Sequence, residues 1–146
     1  MKSAVARWVG ILIVALSLPA ANADSTHVAI QGYDVVAYFT EGKAVKGSPT
    51  YESSFDDSKW QFANASHKAT FEADPDRYLP QYGGLCAGGL ANGVSVPANP
   101  ENWVIVDGKL YMVSGGPADL ADWKAHAAEN IKAADKIWTE NAYKQP

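Results

Sequence analysis

One cysteine, Cys86, is too few for an internal disulfide, so a disulfide-stapled mini-protein is excluded. Positive charge is in deficit. Twelve basic side chains stand against sixteen acidic ones, the net charge is −4 and the isoelectric point is near 5.2. Nucleic-acid binding driven by bulk charge is thereby excluded. No apolar run reaches the ~20 residues of a membrane span. Catalytic fingerprints are missing as well. There is no Gly-x-Ser-x-Gly elbow, no His-Glu-x-x-His, no phosphate loop and no dinucleotide fingerprint. What is there is 146 residues, 47% of them hydrophobic, enough for one domain and no more.

The first residues read as a leader rather than as fold. Lys2 and Arg7 make a positive start, Trp8 to Leu18 is apolar apart from Gly10 and Ser17, and Ala21-Asn22-Ala23 is an A-x-A cleavage signal. Residues 1–23 are therefore expected to be a secretory signal peptide, cut after Ala23, with an uncleaved anchor helix as the alternative. The expected mature domain is 24–146, periplasmic or secreted. Cleavage removes two basic residues and no acidic one, so the mature chain is more acidic still. It is expected to bind no nucleic acid and, after cleavage, no membrane.

Along the mature chain, Val35–Phe39 reads as a buried strand or a short helical turn, since five residues cannot fix a period. Tyr51–Phe55 and Lys59–Ala63 alternate apolar and polar residues around Asp56-Asp57-Ser58, which predicts a hairpin. Asn64 can cap a helix running to Ala73, with Phe71 as its core anchor. Gln81–Val94 is glycine-rich around Cys86. Trp103–Val106 and Lys109–Val113 flank Asp107-Gly108, the signature of a two-residue type I′ hairpin. From Pro117 to Asn141, Leu120, Trp123, Ala127, Ile131, Ala134 and Trp138 recur at helical spacing as one apolar stripe. The order predicts a small single α+β domain: two β-hairpins forming an antiparallel sheet, a short helix after the first hairpin, and a C-terminal amphipathic helix over 117–141 packed on the sheet. No internal repeat is visible beyond the two hairpins.

Several spaced groups carry a resemblance. They include Gly32-Tyr33-Asp34, Val36-Ala37-Tyr38-Phe39, Trp60 with Phe62-Ala63, Asp74-Pro75, Tyr82-Gly83-Gly84, Cys86-Ala87 and Asp107-Gly108-Lys109-Leu110-Tyr111. Over most of Gln31–Tyr111, and again at Asn130-Ile131, Ala134-Asp135 and Trp138, the chain resembles the exported YHS-domain proteins of bacteria. The resemblance implies a small α+β module and the binding of a metal, copper or zinc. The metal-type pattern has two cysteines at the hairpin-to-helix junction. Here Ala63 and His67 stand at those positions, and Gly32-Tyr33-Asp34 replaces an early Cys-Gly-Met. The exported group tends to keep the cysteine at position 86, with selenocysteine in some members, which suits redox chemistry.

Cys86 is the first candidate for chemistry. Glycines on both sides bring backbone close and expose N–H groups that stabilise a thiolate. The alternative is a buried cysteine packed as a small hydrophobe. His67 is the candidate metal partner of Cys86. Tyr33, Asp34 and Tyr82, with Cys86, are candidate ligand-binding residues. His27, His126 and Met112 are weaker candidates. The first expectation is an exported module binding a thiophilic metal ion or a small-molecule ligand around Cys86. The second is a thiol-dependent redox protein, with Cys86 as catalytic residue and an external thiol or protein partner, since no resolving cysteine exists. The third is a non-catalytic structural or interaction domain.

Overall fold

The computed structural model describes residues 27–141, so the expected leader and residues 142–146 lie outside it. The first half of the chain is a 3₁₀ turn at Ala29–Gly32, helix α1 (Val35–Thr40), strands β1 (Ser48–Phe55) and β2 (Ser58–Phe62), and helix α2 (Ala65–Ala73). The second half is a 3₁₀ turn at Gln81–Gly84, helix α3 (Ala87–Ala91), strands β3 (Asn99–Val106) and β4 (Lys109–Val113), and helices α4 (Pro117–Ala125) and α5 (Ala127–Glu140). A small single α+β domain results.

Both hairpins form where the sequence predicts them. Each closes on two residues of positive φ: Asp56 and Asp57 (49° and 54°) in the first, Asp107 and Gly108 (50° and 75°) in the second. That backbone twist matches the twist of the paired strands. The hairpins do not merge into one sheet; each is its own two-stranded sheet. Each hairpin is instead joined by a single bridge from within its own half. Val28 bridges to Lys59 on β2, and Pro80 bridges to Leu110 on β4. The C-terminal helix also departs from expectation, because His126 (φ −119°, ψ 24°) breaks it into α4 and α5. There the Trp123 carbonyl accepts from the His126 N–H and the Asn130 side chain. All six stripe residues still pack on the core.

The two halves repeat one another, which the sequence does not reveal. In each, a turn with left-handed residues (Ile30 and Gln31; Tyr82 and Gly83) leads into a glycine of positive φ, Gly32 or Gly84. Tyr33 N–H then bonds back to the Ile30 carbonyl, as Leu85 N–H does to Tyr82. Asp34 N–H donates to Val45, and Cys86 N–H to Val96. Gly47 N–H returns to Gly32, and Ala98 N–H to Gly84. A short helix follows, then an eight-residue strand paired with a five-residue strand, with the same irregularity in register near the start of the long one. Asp34 caps α1 and Cys86 caps α3, so the two residues occupy equivalent places.

Each half carries its own aromatic cluster. Phe71 packs against Phe55, Trp60 and Phe62 in the first half, with ring centroids 5.1–5.9 Å apart. In the second, Tyr82, Tyr111, Trp123 and Trp138 form a chain at 5.5–6.0 Å. The halves are latched at β3, where the Tyr38 hydroxyl donates to the Pro100 carbonyl (2.7 Å) and its ring meets Trp103 edge-on. In the first half the cap is a knot. Asp34 is fully buried, and its carboxylate accepts from the N–H groups of Val36, Ala37 and Ala63 and from His67 Nδ1. Replacing Asp34 by alanine orphans those donors together. Urea unfolding of Asp34→Ala is expected to show a loss of about 3–5 kcal/mol; a loss below about 1 kcal/mol would contradict this role.

Candidate functional site

Cys86 reaches its position through the left-handed turn before it. The turn swings the chain so that the side chain of Cys86 lies over the first turn of α3 and faces the end of β4. Three donors converge on its sulfur: the Gly89 N–H at 3.2 Å, the Ser114 N–H at 3.1 Å and the Ser114 hydroxyl at 3.0 Å. Burial pushes the thiol up. The Ser114 hydroxyl and the N–H groups of Ser114, Gly89 and Gly88 outweigh that push and leave its pKa below the ordinary value. The repeat gives this arrangement its meaning. Ala63, which follows β2, donates its N–H to the Asp34 carboxylate at 2.8 Å, and Ser114, which follows β4, donates its N–H to Cys86. The same frame thus offers donors to a carboxylate in one half and to a sulfur in the other.

Cys86 is one of the residues lining a polar cleft of ≈ 250 Å³. Gly88, Asn92, Asp119, Asp122, Trp123 and Asn130 are among its other walls. Cys86 itself is only 3% exposed. Two polar side chains on the walls are tied down, since Asn92 donates to the Gly88 carbonyl and the Asp119 carboxylate accepts from Gly116 N–H. Trp123 is different. It is 3% exposed, and its Nε1 is the one fully buried side-chain nitrogen or oxygen without a hydrogen-bond partner among the described residues.

The remaining candidates fall elsewhere. His67 does not meet Cys86. Its Nδ1 is held at 2.6 Å by Asp34 and its Nε2 faces Glu41 at 3.6 Å, within the first half. The expected Cys86–His67 metal pair is therefore not assembled, because the position equivalent to Cys86 in the first half binds the histidine itself. Among the described residues no group of three His, Cys, Asp or Glu side chains could hold a metal ion. The donor set present does not fit a resident copper or zinc site. Tyr33 donates its hydroxyl to Glu101 (2.9 Å) beneath the Lys46 ammonium, a latch between halves. The Glu101 carboxylate it bonds pushes its pKa up. Asp34 is the buried cap described above. Tyr82 donates to Asp135 at 2.7 Å, and burial with that carboxylate raises its pKa. Its ring lines a second, largely apolar cavity of ≈ 460 Å³ with Leu85 and Met112, to which Cys86 does not contribute. His27 borders that cavity, and His126 is exposed at the α4–α5 break.

Sequence reasoning missed Ser114 and Trp123 as residues beside Cys86. Trp123 carries a sequence signal only as a member of the apolar stripe, and Ser114 carries none. No protein-family model, curated protein or solved structure matches the chain.

The lowered thiol pKa has a thermodynamic consequence. An acidic group that titrates lower in the folded state adds stability that is fully present above its unfolded pKa, the ordinary thiol value, and is lost as the pH falls through its folded pKa. Denaturation of the wild-type protein and Cys86→Ser should therefore show a stability difference that grows in favour of wild type as pH rises through that interval. A difference flat with pH would contradict the assignment.

Proposed function

We propose that the protein is an exported binding module whose working group is the Cys86 thiolate, presented to a small ligand from the polar cleft beside α3. The observation that carries this reading is the convergence of three donors on Sγ in a position that the other half fills with a carboxylate. A cysteine packed merely as a small hydrophobe has no use for such donors, and it lies among aliphatic side chains. The leader-like N-terminus and the resemblance to exported YHS-domain proteins support export and a binding role. Between the two kinds of cargo, a small ligand is favoured over a metal ion. Cys86 has no histidine beside it, and the Asp119 carboxylate on the cleft wall is already bonded to backbone.

The test is chemical access to Cys86 in the folded protein. A thiosulfonate reagent that transfers only a methylthio group is expected to modify wild-type protein at neutral pH under conditions where far-ultraviolet circular dichroism shows it folded. Ser114→Ala removes one of the donors, and should slow the modification roughly threefold to tenfold by returning the thiol toward its ordinary pKa. A thiol inert until the protein unfolds would overturn the reading.

A further inference from the structure

The ≈ 460 Å³ cavity bordered by Tyr82 takes no part in the role proposed for Cys86, and it has the features of a second site. Both halves build it. The left-handed turn of the first half contributes Ile30 and Gln31, and the equivalent turn of the second contributes Tyr82 and Gly83. Met112 from β4 and Trp138 from α5 add further wall. Among the lining residues His27, Gln31 and Pro97 are exposed, whereas Ala98, Pro100 and Met112 are buried. The cavity therefore runs from the surface into the contact between the halves. Its size falls in the range of small-molecule sites, roughly 300–1,000 Å³.

The walls select the chemistry of the ligand. No Asp, Glu, Lys or Arg borders the cavity. Tyr82 commits its hydroxyl to Asp135, and Gln31 its amide nitrogen to the Ala98 carbonyl. The rings of Tyr82 and Trp138 meet at 64° with centroids 5.8 Å apart, which makes one aromatic corner. Walls of this kind favour apolar contact and hold water poorly, since an ordered water needs several polar partners. An ion placed there would lose hydration and gain no counter-charge. The residues before His27 in the expected mature chain, Asp24-Ser25-Thr26, are polar and match such walls badly.

We propose that this cavity binds a neutral, largely hydrocarbon small molecule, as a site separate from the Cys86 cleft. The hydrocarbon body is buried among Leu85, Met112 and Trp138, and a polar end, where the ligand has one, lies at the exposed mouth beside His27 and Gln31. The site makes no use of the thiolate, so either reading can fail without the other.

The experiment uses N-phenyl-1-naphthylamine, a neutral aromatic amine whose emission rises on leaving water. The purified, folded protein is expected to bind it saturably and to unfold at a higher temperature in its presence. Leu85→Trp narrows the cavity from a half-buried wall position. Trp138→Ala removes one ring of the aromatic corner and leaves a good helix former in α5. Each variant is expected to bind the probe roughly tenfold more weakly, with far-ultraviolet circular dichroism unchanged. A displacement assay on wild type needs no variant. In it 1-decanol is expected to displace the probe at roughly a tenth of the concentration that decanoate requires, because the carboxylate finds no partner on the walls. Absence of saturable binding, the result if the chain's own residues fill the cavity, would overturn the inference, as would equal binding by wild type and both folded variants. Displacement by decanoate as effective as that by 1-decanol would overturn the neutral character of the ligand.

Discussion

The structure turns on one arrangement: a buried acceptor at the start of a short helix that takes the backbone N–H emerging from the end of a hairpin. In the first half the acceptor is the Asp34 carboxylate and the donor follows β2. In the second it is the Cys86 sulfur and the donor follows β4. Each acceptor ties the left-handed turn and the helix it caps, which are neighbours in sequence, to the distant far end of the hairpin. A helix as short as α3, with five residues, has little stability of its own. It is held in place by this tie, by α5 lying against it and by the aromatic chain running through Trp123 and Tyr111.

The exchange of carboxylate for thiol between equivalent positions is what the proposed function rests on. A carboxylate is charged without help, and Asp34 is surrounded by four donors, one of them a histidine, that hold it as structure. A thiol is neutral at ordinary pH unless its surroundings favour the anion. The second half keeps the frame's donors and adds the Ser114 hydroxyl. It offers no histidine to the sulfur, and Cys86 is one of the residues lining a cleft. A position that holds a structural carboxylate in one half holds, in the proposed reading, the working thiolate of the other.

Much of the fold was legible because its signals are local. Asp107-Gly108 announced the second hairpin, Asn64 the cap of α2, and the stripe from Leu120 to Trp138 the packing face of the last helices. The choice between strand and helix for Val35–Phe39 was not legible, since Asp34's cap settles it through bonds to Val36 and Ala37. The repeat was hidden because it is carried by backbone hydrogen bonds and positive φ angles, which Ile30-Gln31 and Tyr82-Gly83 satisfy with unrelated side chains. Cys86 was legible as a reactive candidate from its glycine neighbours. The pairing with His67 was a false lead, because a match of position along the chain did not encode that His67 is spent on Asp34. Ser114 and Trp123 could be found only once β4 and α4 were folded against α3.

The account stands on the sulfur of Cys86 being held as an anion. Its direct test is a pH titration of the thiolate ultraviolet absorbance in the native protein and in the same protein in denaturant, with Cys86→Ser as the blank for tyrosine. The account predicts that the native inflection lies clearly below the denatured one and moves up toward it in Ser114→Ala. A native inflection at or above the denatured value would contradict it.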